Sequence, residues 1–282
     1  MVKIGEYNIL EVIKEVDFGI YLDGGDAGEI LMPTQYVPEG TKPGDELYVF
    51  IYLDSEDRII ATTLKPFAIV GNFAYLEATH VDAIGAFMNW GLPKDLLVPF
   101  REQKQTMEVG KHYIVYIYHD KKTNRIAASA KVDKFISSDK PDLETGEEVD
   151  LLVYQKTDLG YKAIINNKYS GLLYENELFK PVKIGDQLQA YIKLIRPDNK
   201  IDLILRKPIT ENASIDSIAS AILKQLEDAG GFMPVGDKTS ADEIYNLFGI
   251  SKKVFKKSIG SLYRQRIISI DDKGIHLENV AD

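Results

Sequence analysis

One unit occurs three times in this chain, and that repetition restricts the fold more than any other feature. In the first copy Leu10 stands nine residues before Gly19, Gly19 stands 25 before Gly44, and Arg58-Ile59 close the unit. In the second, Leu76, Gly85 and Gly110 keep the same two spacings and Arg125-Ile126 close it. In the third they are Leu151, Gly160 and Gly185, closed by Lys200-Ile201. A lone glycine pair at that spacing carries no information. Three pairs with matching flanks make coincidence untenable.

Within the first copy, residues 7–16 and 18–22 read as strands rich in β-branched and aromatic side chains. Residues 23–26 form a turn, and Glu29 to Pro33 form a short strand stopped by proline. Pro43-Gly44-Asp45 turns the chain into a strand over 47–53, and a hairpin loop at 54–57 returns it over 58–64. Five short strands in some 65 residues predict a small closed barrel. With 282 residues, the chain divides into barrels at 1–66, 67–138 and 139–209 and a tail at 210–282. Residues 137–149, polar with a proline and a glycine, read as a connector.

The long strand after the second glycine shows two faces, because side chains two apart share a side. One column reads Leu47, Val49, Ile51, then Tyr113, Val115, Ile117, then Leu188, Ala190, Ile192. It belongs inside the barrels. The other reads Tyr48, Phe50, Tyr52, then Ile114, Tyr116, Tyr118, then Gln189, Tyr191, Lys193, and looks outward. Outward aromatics either pack one barrel on the next or stack nucleic-acid bases, at ~1–3 kcal/mol per base. Trp90, the only tryptophan, sits between Asn89 and Gly91, a setting less suited to a core than an apolar run. In the third copy Tyr161 follows its glycine directly, one place earlier than Tyr21 and Phe87 follow theirs, which on a strand means the other face.

The tail changes period from two to 3.6. Ser214 caps a helix through Glu227 ended by Gly230-Gly231, and Ser240 to Glu243 form a capping box for a helix through Phe248. Ser251 caps a third helix to about Arg266, and residues 267–270, 271–274 and 275–277 make a hairpin. Three helices and a β-hairpin are a winged-helix layout. On the third helix Phe255, Ile259 and Leu262 share one side, and Lys253, Lys256, Lys257 and Arg264 the other. That basic side is either a solvated face or a phosphate-binding one, and its place as third helix favours the latter.

The net charge is −9 and unevenly spread. Residues 1–66 carry 5 Lys+Arg against 13 Asp+Glu, whereas 67–138 carry 9 against 7. A polyanion should therefore avoid the first barrel, and Arg101 and Lys104 belong to the first cluster where basic charge prevails. There is no cysteine, which excludes disulfides and thiolate zinc sites and suits a reducing cytoplasm. No apolar segment follows Met1 to suggest a signal peptide, and no run approaches a membrane span, so no membrane partner is expected.

The three units resemble S1-type RNA-binding barrels, an OB-fold class of five-stranded β-barrel. The resemblance rests on Phe18-Gly19-Ile20-Tyr21 and Ile84-Gly85-Ala86-Phe87, the Leu-Leu-Val or Gly-Leu-Leu strand, and the turn into a Val-x-Ile strand. Taken whole, with the stretches 85–99, 230–237 and 251–257, the chain resembles the conserved virulence factor B family, three such barrels followed by an α+β winged-helix domain. That resemblance covers nearly the full length and implies RNA binding and a regulatory role in bacteria. It marks Tyr21, Phe87, Trp90, Tyr116 and Tyr161 as base-contacting candidates. Arg101, Lys104, Lys253, Lys256, Lys257 and Arg264 complete the expected RNA surface.

No enzymatic constellation accompanies these features. His80, His112, His119 and His276 lie in no close metal-ligand pattern, and no GxSxG, P-loop or GxGxxG occurs. Neither metal nor cofactor is expected. Three readings follow. The chain is a non-catalytic regulator binding single-stranded RNA, a DNA-binding regulator acting through the winged helix, or a scaffold docking on the ribosome or transcription machinery.

Overall fold

The computed structural model describes residues 1–178, 180–206 and 214–278. The expected junction between third barrel and tail, at 209/210, lies outside the described residues. The chain divides into two compact units, Met1–Ile136 and Ser137–Asp282.

The first unit holds two closed five-stranded barrels. One is built from β1 (Tyr7–Val16), β2 (Gly19–Asp23), β3 (Glu29–Pro33), β4 (Glu46–Leu53) and β5 (Ile59–Thr62), in the order β1-β2-β3-β5-β4. The other uses β6 (Phe73–Val81), β7 (Gly85–Asn89), β8 (Leu96–Pro99), β9 (His112–Asp120) and β10 (Arg125–Ser129) in the same topology. In the second unit β11 (Glu148–Thr157), β12 (Gly160–Ile165), β13 (Tyr169–Tyr174), β14 (Gln187–Ile195) and β15 (Ile201–Ile204) repeat it. Each barrel closes because its long first strand pairs with both the second and the fourth. A register shift within that strand, at Val12/Lys14, Ala78/His80 and Val153/Gln155, supplies the bend that closure needs.

The repeated glycines have a common steric cause. A Cβ on Gly19, Gly85 or Gly160 would collide with the backbone carbonyl of Met32, Val98 or Leu173 on the third strand of the same barrel. Gly44, Gly110 and Gly185 turn the chain into the fourth strand at φ of 93°, 79° and 95°, a region that favours glycine.

The aliphatic column fills the barrels as its period predicts: Val49, Ile51, Val115, Ile117, Ala190 and Ile192 are fully buried. The outward aromatics divide, and most take the packing role. Phe50 and Tyr52 are 0% and 4% exposed. They join one continuous apolar cluster with Trp90, Leu92 and the interior of the second barrel. Burial there pushes the Tyr52 phenol up to about 12, with Tyr36 and Asp54 adding to it. Tyr116 stacks on Phe135 just past the second barrel, centroids 4.1 Å apart at 16°. Of the aromatic rings in the outward column, among the described residues only Tyr48, 65% exposed, stands open.

The tail is a winged helix. Ser214, Ser240 and Ser251 each accept a hydrogen bond at the start of α1 (Ile215–Asp228), α2 (Ala241–Phe248) and α3 (Lys252–Arg264). A short β16 (Phe232–Met233) joins β17 (Ile268–Ile270) and β18 (Ile275–Leu277) in the order β16-β18-β17. Ile222, Leu226, Ile244, Phe248, Phe255, Ile259 and Leu262 form its core.

Candidate nucleic-acid interface

In each barrel the register lines up one outward row across four strands. In the first it is Lys14, Tyr21, Leu31 and Ile60. In the second it is His80, Phe87, Leu97 and Ala127. In the third it is Gln155, Lys162, Leu172 and Asp202. The second and third strands of such barrels, with the loops beside them, form the face that OB-folds use for oligonucleotides. Tyr21 and Phe87 thus occupy equivalent, partly exposed places, between inward Ile20 and Leu22 in one barrel and Ala86 and Met88 in the other. Tyr161 does not join them. It pairs with Leu173 as Ile20 pairs with Met32, packs against the third barrel's core, and leaves Lys162 in the aromatic place.

The surroundings of the three rows differ. Tyr21 meets Phe18 edge-on at 6.4 Å and the Lys14 ammonium at 4.8 Å, but that ammonium is paired to Glu29 at 2.6 Å. In the third barrel the Lys156 ammonium lies 5.5 Å from the Tyr161 ring and near Glu175, while Arg196 is bound by Asp202 at 2.9 Å.

The second barrel's row opens into a cleft of about 300 Å³. Ile84, Phe87, Leu97, Pro99, Tyr118 and Ile126 supply apolar walls, and Lys94, Arg101 and Arg125 stand among them. His80 lies 5.8 Å from the Phe87 ring. The hairpin loop beside the cleft adds Lys121 and Lys122, both exposed. Carboxylates hold the cations in place. Arg101 lies 3.9 Å from Asp120. Lys94 donates to Asp57 at 2.9 Å and to the Asp54 carbonyl at 2.5 Å, and Arg125 also binds Asp57. Asp57 belongs to the acidic hairpin loop of the first barrel and reaches across to the second. Hydrogen bonds from Lys94 and Arg125 hold its carboxyl below the usual range.

The sequence-predicted residues are therefore only partly gathered. Phe87 and Arg101 share the cleft. Trp90 also borders it but is 3% exposed, with its indole N–H donated to the Lys94 carbonyl at 2.7 Å and its ring 5.8 Å from Phe50. It is a structural residue, and the expectation that its polar neighbours keep it out of the core is corrected. Tyr116 is likewise occupied by Phe135. Lys104 turns to Asp133 at 2.5 Å. Lys253, Lys256, Lys257 and Arg264 are all exposed on one side of α3, with Lys256 paired to Asp237 at 3.2 Å. Sequence reasoning missed His80, Lys94, Arg125 and Lys162. Arg125 carried a visible signal, since Arg58, Arg125 and Lys200 recur at the same place in the three units.

Among the described residues no cluster of His, Cys, Asp or Glu is arranged to hold a metal ion, and no helix is long and apolar enough to cross a membrane.

Comparison with known proteins agrees with this architecture. The S1 domain model matches residues 4–64 and 70–131, and the CvfB-like winged helix domain model matches residues 220–277. The chain is 26% identical over 272 residues to the uncharacterized protein YitL of Bacillus subtilis, covering 92% of this chain and 89% of that one. It is 25% identical over 284 residues to conserved virulence factor B of Staphylococcus aureus, covering 97% and 94%. A crystal structure of a multidomain protein with nucleic acid binding domains from Streptococcus pneumoniae aligns over 98% of both chains at 24% identity, with a TM-score of 0.43. The chain thus carries S1 domains and a CvfB-like winged helix domain, and over nearly its full length it is similar to conserved virulence factor B.

Proposed function

We propose that this chain is a non-catalytic, cytoplasmic regulator that binds single-stranded RNA, with the second barrel as its main contact. The observation that carries the reading is the cleft in which Phe87 and an apolar floor lie among Lys94, Arg101 and Arg125. A partly exposed ring beside fixed cations suits a base stacked on the ring and its phosphates on the rim. The choice of RNA over DNA rests on the S1-type barrels. The exposed lysines of α3 add phosphate contacts. Lysine acts there as a point charge, and the wing turn carries Asp271 and Asp272, which disfavour a second phosphate strand. Duplex reading by the winged helix alone is therefore not favoured.

Filter binding of the full chain to single-stranded RNA, single-stranded DNA and duplex DNA tests this. RNA is expected to bind tightest. The logarithm of affinity should fall with that of salt at a slope near −0.7 per phosphate, for roughly 3–5 phosphates. Tighter binding of duplex DNA would replace the reading with that of a DNA regulator.

Asp57 has a separate effect in this scheme. It holds the two cations, Lys94 and Arg125, that phosphates would use. Asp57→Asn is expected to raise RNA affinity severalfold and steepen the salt slope by about 0.7 for each phosphate gained. Asp26→Asn, an exposed acid elsewhere on the same barrel, should change neither much. Equal effects from both variants would reduce Asp57 to a bulk charge, and lowered affinity in Asp57→Asn would make it a clamp that positions the cations.

A further inference from the structure

The first barrel holds most of the chain's net negative charge, and it also leaves an apolar face uncovered. On the outward side of β1 and β4, Ile9 stands opposite Tyr48, and two places along Glu11 stands opposite Glu46. Ile9 and Tyr48 are each 65% exposed. Tyr48 lies flat against Tyr7, centroids 4.8 Å apart at 11°, so its outer ring face is held in a fixed direction.

Like charges directly opposite on neighbouring strands destabilise a sheet. Among the described residues neither the Glu11 nor the Glu46 carboxylate has an ion pair or hydrogen bond. The second barrel solves the same positions differently. There Glu77 faces His112, and the places of Ile9 and Tyr48 are held by Tyr75 and Ile114, 37% and 8% exposed. The first barrel thus keeps an uncompensated acidic pair beside two bare apolar side chains. A phosphate backbone would be repelled from it. A cation with an apolar stem would satisfy every group.

We propose that this face docks an arginine-bearing extended segment of a protein partner. The guanidinium lies between Glu11 and Glu46, and the stem and plane of the side chain lie over Ile9 and Tyr48. Arginine fits better than lysine because its planar fork engages carboxylates through paired hydrogen bonds and also stacks on an aromatic ring.

The test is an NMR titration of the labelled full chain with a short arginine–leucine peptide, its lysine–leucine and glutamate–leucine counterparts, and oligouridine. The arginine peptide should shift the amides of Ile9, Glu11, Glu46 and Tyr48 and bind several times more tightly than the lysine peptide. Glu11→Gln with Glu46→Gln should weaken it roughly tenfold and raise the melting temperature, since repulsion is relieved in a folded barrel. Asp26→Asn with Glu39→Gln, the same charge change on the same barrel, should leave binding intact. Equal losses in the two double variants would overturn the proposal in favour of bulk charge. Shifts of the same four amides by oligouridine would make the face a nucleic-acid surface instead. Self-association abolished by Tyr48→Ser would make the occupant a second copy of this chain.

Discussion

Trp90→Ala is expected to destabilise the two-barrel unit by about 3–5 kcal/mol, the cost of removing a large aromatic from a packed core. The ring is 3% exposed and meets Phe50 of the first barrel edge-on at 5.8 Å. It belongs to the apolar cluster that runs without a break from Phe50 and Tyr52 into the second barrel. Its indole N–H satisfies the Lys94 carbonyl, and the Phe67 N–H donates to the carbonyl of Trp90 itself. Trp90→Phe keeps much of the volume and loses only the indole bond. That leaves the Lys94 carbonyl short of a donor, at a cost of about 1–3 kcal/mol. Denaturant unfolding followed by circular dichroism separates the two variants. RNA affinity should fall in Trp90→Ala only as far as the fold is lost, because the buried ring offers no open face to a base. A stable Trp90→Ala protein with weakened RNA binding would return the ring to the role of a stacking platform.

The barrels were legible in the sequence because their causes are local. A glycine that must clear a facing carbonyl, and a second one that must turn at positive φ, recur wherever the same strands cross. The inward column followed from a period of two, and the helices from the serines at 214, 240 and 251. What covers an outward face is a different kind of fact. The pleat gives the side on which Phe50, Tyr52 and Tyr116 stand, but the neighbouring barrel and Phe135 decide whether that side is wet. Trp90 was misjudged for the same reason. Its polar chain neighbours describe a loop, and the apolar cluster around it draws on residues such as Phe50 and Tyr52 from the first barrel. The rim of the cleft was hidden further still. Asp57 and its partners Lys94 and Arg125 are 37 and 68 residues apart in the chain, and no window on the sequence joins them. The two-residue β16 is too short to show any period.

Phe87→Ala should lower affinity for single-stranded RNA by ~1–3 kcal/mol, roughly five- to 150-fold, with little change in melting temperature. The two halves of that expectation have separate grounds. Fold stability should hold because the residues that fill the barrel on this strand are Ala86 and Met88, both fully buried, while Phe87 points outward and is only partly covered. Binding should suffer because Phe87 is the aromatic member of its cross-strand row and stands among Lys94, Arg101 and Arg125. Phe87→Tyr or Phe87→Trp should keep most of the affinity, since any flat ring offers a face to a base. Tyr21→Ala is the informative comparison. It removes an aromatic ring from the same place in the first barrel, where Glu29 ties up the adjacent Lys14 and acidic residues outnumber basic ones. Its loss should be clearly smaller. Equal losses from Tyr21→Ala and Phe87→Ala would mean that the ring alone, and not the cations around it, selects the barrel that RNA occupies. A Phe87→Ala protein that melts early and binds RNA like the parent would show the ring to be packing, and would move the search for the RNA contact to Lys162 and the third barrel.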